Sequence, residues 1–105
     1  MRSVLFYVLA CLLTAVSAQA QSPVCVNGKC STYTTYTAQG VAQRMAAEGQ
    51  VRHYGNPTGG YEGVGYSSSS PEAAKRNCCY WGQRPARDIG IARGRRGWYA
   101  CVRYH

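Results

Sequence analysis

At 105 residues the chain has room for one small domain, which excludes a two-domain enzyme. Its 12 Lys and Arg face only 4 Asp and Glu, giving a formal net charge of +8 from a charged fraction of 15%. Paired-carboxylate chemistry has few candidates, since Glu48, Glu62, Glu72 and Asp88 are the whole acidic set.

Residues 1–20 read as a secretory signal peptide. Arg2 supplies the positive start, Val4 to Val16 is a nearly unbroken apolar run, and Ala18-Gln19-Ala20 is a small-x-small exit. Cleavage is expected after Ala20, with Ala18 the alternative. The run is too short for a membrane anchor, which needs about 20 apolar residues. Val8-Leu9-Ala10-Cys11 resembles a lipoprotein cleavage box, but the apolar core continues past it. Loss of Arg2 with the leader takes the net charge from +8 to +7. Roughly 85 residues remain, near the lower end of what a hydrophobic core stabilises unaided. Export makes disulfides available to compensate.

In Cys25-Val-Asn-Gly-Lys-Cys30, Asn27-Gly28 suits a two-residue type I′ turn, which sets Cys25 opposite Cys30 at a close, bondable pair. A second bridge is expected from Cys101 to Cys78 or Cys79, with Cys79 placed in the bridged set. The competing reading is a zinc site, but neither Cys-x4-Cys nor adjacent cysteines match the usual ligand spacing.

Residues 21–36 form that hairpin and a Thr/Tyr-rich extended lead-in, and residues 37–105 form the main domain. From Thr37 to Glu48, Ala38, Val41, Ala42, Met45 and Ala46 make one helical stripe, with Thr37 as cap and Gly49 as left-handed stop. Residues 54–60 are a loop. Tyr61 to Tyr66 alternates large and small residues, as in a strand whose glycines let another backbone approach. After four serines, Ser70-Pro71-Glu72 starts a short helix ending near Asn77 or Cys78. Asp88–Ala92 and Trp98–Tyr104 are strands flanking the basic hairpin loop Arg93-Gly-Arg-Arg-Gly97. In the second of them Trp98, Ala100, Val102 and Tyr104 share one face, and Tyr99, Cys101 and Arg103 the other. Mixed helices and antiparallel strands make an α+β domain.

Two constellations carry chemistry. His53, Glu62 and Asp88 have the donor types to bind zinc or move a proton. The plain alternative is that Glu62 pairs with an arginine and His53 with a backbone group. Arginines 84, 87, 93, 95, 96 and 103 form the second constellation, with Trp81, Trp98, Tyr99 and Tyr104 nearby. Such a composition suits stacking and phosphate contact. Export argues against an intracellular nucleic acid and for an anionic extracellular polymer, a glycan or a lipid headgroup. The plain alternative is a solvated face.

Residues 38–53, Gly60-Tyr-Glu-Gly-Val-Gly65, Ser70-Pro-Glu-Ala-Ala74, Arg87–Arg93 and Gly97–Tyr104 are, in that order, similar to segments of the CAP family (cysteine-rich secretory, antigen 5, pathogenesis-related 1). The resemblance covers most of residues 38–104. It implies a cleft of two His and two acidic residues able to hold a divalent metal, with His53, Glu62 and Asp88 in three of the places. The second His is missing: the stretch that resembles its surroundings reads Asn77-Cys-Cys-Tyr-Trp-Gly-Gln-Arg84. The expected fold is a reduced CAP-like sandwich, two helices on a small antiparallel sheet stapled by disulfides. The expected function is a secreted, non-catalytic binding or structural module. It would meet its anionic partner through Arg93, Arg95, Arg96 and Trp98, need no cofactor, and could dimerise through an unpaired Cys. Its rivals are a metal-dependent hydrolase using zinc on His53, Glu62 and Asp88, and a cationic antimicrobial protein.

Overall fold

The computed structural model describes residues 23–105, so the signal peptide read over residues 1–20 lies outside the described residues. Strands β1 (Pro23–Val26) and β2 (Lys29–Thr32) form an antiparallel hairpin. Asn27 and Gly28 take φ of 52° and 79°, the left-handed pair that a type I′ turn requires. Cys25 stands opposite Cys30 and is bonded to it, as the spacing predicts. Val24 is the hairpin's buried side chain.

Helix α1 (Ala38–Glu48) begins where Thr37 Oγ1 accepts from the Gly40 amide at 3.0 Å and stops at Gly49, φ 72°. Its buried stripe is Ala38, Val41, Ala42 and Met45. Strands β3 (Glu62–Ser67), β4 (Ala86–Arg93) and β5 (Trp98–Tyr104) form an antiparallel sheet in the order β3-β5-β4. Helix α2 (Pro71–Arg76) lies on the connection from β3 to β4. Ser70 caps it by accepting from the Ala73 amide, and Pro71 and Glu72 fill its first turn.

The central strand β5 sorts the core by its period of two. Tyr99 and Cys101 pack with Ala38, Val41 and Met45 of α1, while Ala100, Val102 and Tyr104 pack with Ala74 and Cys78 at α2. The helices therefore cover opposite faces of the sheet. Burying each large apolar side chain of these two clusters contributes about 1.5–3 kcal/mol. Two glycines set how close the helices come. A Cβ at Gly90 would stand 2.3 Å from the Ala38 backbone, and one at Gly65 would stand 2.5 Å from the Ala74 carbonyl. The Gln39 amide covers the outer edge of β4, donating to Ile91 O and accepting from Ile91 N, both at 2.9 Å.

The second staple does not form. Cys78, Cys79 and Cys101 are free, and among the described residues Cys25–Cys30 is the one disulfide. The cause is strand parity. Cys101 points to the α1 face, whereas Cys78 is buried in the α2 cluster, donating toward Ala74 O and Ala100 O at 3.6 Å. Cys79 follows α2 on that same side and is exposed. A sheet layer separates Cys101 from both expected partners.

Candidate functional site

The first candidate centre grows from Glu62, the opening residue of β3, which is paired across the sheet with Arg103 of β5. The Glu62 carboxylate is 4% exposed and fully engaged. Its Oε2 accepts from Arg103 Nε at 2.9 Å and from Cys101 Sγ at 3.5 Å. Its Oε1 meets His53 Nδ1 at 2.7 Å. The Arg103 side chain is wholly buried; Nη2 donates to Thr35 O, and Nη1 has no partner among the described residues. His53, on the loop after α1, is half exposed and covers the pair from outside.

The structure brings His53 and Glu62 together but does not bring Asp88 to them. Asp88 pairs with Arg103 from the other side, so an arginine stands in the sheet between the two carboxylates. Asp88 Oδ2 instead accepts from the Ala38 amide at 2.8 Å, placing its charge at the positive end of α1. Among the described residues His53 and Glu62 form a chain with Arg103, while Asp88 is engaged at the start of α1. The Arg103 guanidinium already supplies the countercharge a cation would bring. Among the described residues no group of three His, Cys, Asp or Glu side chains is placed to hold a metal ion.

The neighbouring thiols are inert. Burial, reinforced by the Glu62 charge, pushes the Cys101 thiol far up, and burial pushes Cys78 up to about 12. Both are protonated at neutral pH, and the thiolate is the nucleophilic form. Tyr104 is likewise raised to about 12, chiefly by burial, and donates its hydroxyl to Cys79 O.

The second candidate is the basic run, which the structure sorts one arginine at a time. Arg103 is the buried partner of Glu62 and no part of a surface. Arg87 pins the glycine-rich loop, donating to Thr58 Oγ1 at 2.8 Å, Gly59 O at 2.9 Å and Tyr104 O at 3.1 Å. Arg84 lies 3.6 Å over the Tyr61 ring, and Arg93 5.1 Å over Trp98. Trp98 itself packs on the α2 cluster. Arg95 and Arg96 remain. They are exposed at the tip of the β4–β5 hairpin, and among the described residues no hydrogen bond, salt bridge or ring contact engages their side chains. The loop beneath them is fixed: Gly94 N donates to Gly97 O at 2.7 Å, and Tyr66 donates its hydroxyl to Arg96 O at 2.6 Å.

This tip borders two adjoining hollows between α1 and the disulfide hairpin. The larger, about 690 Å³, has Val26, Ala47 and Ala92 in its lining together with Lys29, Arg93 and Arg95, and no carboxylate. The second, about 500 Å³, shares Val26, Ala47 and Arg95 and adds Arg96 and Glu48. That one acid is already taken, by Arg44 Nε at 3.1 Å and by the Tyr54 hydroxyl. Sequence reasoning missed these hollows, because they exist only where the β1–β2 hairpin docks beside α1. The one local signal was Ala47, a small apolar residue off the helix's buried stripe, where a charged one is usual.

No family model matches the chain, and no curated protein or solved structure matches it either.

Proposed function

We propose that the protein is a secreted, non-catalytic binding module that holds an anionic extracellular or cell-surface partner against Arg95 and Arg96. The observation that carries this reading is the sorting of the arginines. Four of the six have work inside the fold, and the two that do not stand side by side on a braced turn. The braced turn fixes the backbone that carries them, and their unpaired guanidiniums are open to bidentate contact with phosphate, sulfate or carboxylate groups. Arg93 and Trp98 shape the base of the tip through their mutual stacking. The bonded Cys25–Cys30 pair agrees with an oxidising compartment, and no helix among the described residues is long and apolar enough to cross a membrane. A reduced CAP-like ancestry belongs to the same proposal. Helices on both faces of an antiparallel sheet support it, as does the meeting of His53 with Glu62. The engagement of Glu62 by Arg103 favours binding over metal-dependent hydrolysis.

The test is binding to a soluble polyanion such as dextran sulfate at rising salt. The wild-type protein is expected to bind and to release as salt screens the contact. Arg95→Ala with Arg96→Ala is expected to weaken binding at least tenfold, while Arg76→Ala, an exposed change on α2, leaves it unchanged. Equal binding by all three proteins would refute the proposal.

A further inference from the structure

We infer that the hollow beside the tip takes a single-chain anionic lipid, its chain along Val26, Ala47 and Ala92 and its headgroup at Lys29 and Arg95. This rests on the basic-tip reading and names the class of anion it serves. Three observations carry it. The hollow is about 690 Å³, within the size range of small-molecule sites. Its floor is apolar although it is open: Val26 and Ala47 are half-buried rather than packed into either core cluster, and Ala47 lies off the buried stripe of α1. A flank meant only to face water would carry Lys, Glu or Gln there. Finally, its charged lining is of one sign. Lys29 and Arg95 make no ion pair among the described residues, and no carboxylate lines the hollow.

A hydrophilic polymer would use the cations and leave the floor idle, and a neutral chain would use the floor and leave the cations idle. An amphiphile with one chain and one negative head uses both. The disulfide gives the arrangement its second wall, since Cys25–Cys30 locks the hairpin that carries Val26 and Lys29.

The experiment is calorimetric titration of the disulfide-bonded protein with monomeric dodecyl phosphate, butyl phosphate and dodecyl maltoside, alongside dextran sulfate. Each buried methylene tightens binding roughly fourfold, so burial of half of the eight extra methylenes makes dodecyl phosphate about 200-fold tighter than butyl phosphate. A negative heat-capacity change should accompany it. Ala47→Phe, which fills the floor, should abolish the chain-length dependence. Arg95→Gln, an exposed change that leaves the floor intact, should weaken dodecyl phosphate about tenfold and leave dodecyl maltoside unmoved. Equal affinity for the two phosphates, or equal affinity of dodecyl phosphate and dodecyl maltoside, overturns the inference. If dextran sulfate still binds in that case, the basic-tip reading survives alone; if it does not, both fall.

Discussion

Replacing Glu62 by Ala isolates what the buried ion pair does. The change removes a 4% exposed carboxylate and with it the partners of Arg103 Nε, His53 Nδ1 and Cys101 Sγ. The Arg103 guanidinium has no exposed surface, so it is left with Thr35 O as its one hydrogen-bond partner among the described residues. Breaking a buried pair from one side costs about 3–5 kcal/mol. That is about a quarter or more of the stability of a domain of this size, and it lowers Tm by about 12–40 °C. His53→Ala removes a half-exposed contact and should cost about 1 kcal/mol or less. Arg103→Met falls between, because Glu62 keeps His53 beside it. Combining Glu62→Leu with Arg103→Met should recover much of the loss, since an apolar pair of similar volume carries no desolvation cost. Urea unfolding followed by Trp81 and Trp98 fluorescence reads all of these. A Glu62→Ala cost below about 1 kcal/mol, or a His53→Ala cost equal to it, would refute a structural assignment of this chain of contacts.

The other predictions concern the thiols and the glycines. In the native protein only the exposed Cys79 should react with a thiol reagent near neutral pH, Cys78 and Cys101 becoming reactive on unfolding; three fast-reacting thiols would contradict the burial assigned here. The folded-state pKa values of Cys78 and Cys101 are raised above the ordinary value of 9.0, so the folded form holds its protons longer. Their contribution to stability is fully present below pH 9 and is lost as pH rises toward 12, which thermal melts across that range should show as a falling Tm. Gly90→Ala forces a Cβ to within 2.3 Å of the Ala38 backbone, which cannot yield as a side-chain tip would. It should cost about 3 kcal/mol or more, against about 1 kcal/mol for Gly28→Ala, whose Cβ meets nothing but whose φ is 79°. Chemical denaturation of the two variants separates close approach from conformational freedom.

Much of the fold is legible in local chemistry. Thr37 and Gly49 bracket α1, Asn27-Gly28 turns the first hairpin, and Ser70-Pro71-Glu72 opens α2, because caps and turns are decided within four or five residues. The alternation along β5 also divides its residues correctly between the two faces. The expectation of a Cys101 staple failed against that same alternation: which face α2 covers is a matter of chain topology, and nothing local to Cys78 or Cys79 records it. Arg103 was misplaced for a related reason. Its composition class says surface, while its position, on the sheet's central strand and opposite Glu62, says core. Asp88 has the donor chemistry of a ligand, yet the helix end it faces is fifty residues earlier in the chain. Spacing is silent on such a contact.

The central claim is that two free arginines, not the whole basic run, meet the anionic partner. The most direct measurement is the dependence of polyanion affinity on salt concentration for the wild-type protein, Arg95→Ala, Arg96→Ala and Arg84→Ala. If each free arginine releases counterions on binding, removing Arg95 or Arg96 should flatten the log–log slope by roughly one unit. Removing Arg84, whose guanidinium is spent on Tyr61, should leave the slope unchanged. A slope that flattens equally for all three would mean that binding follows net charge alone, and the tip would lose its role.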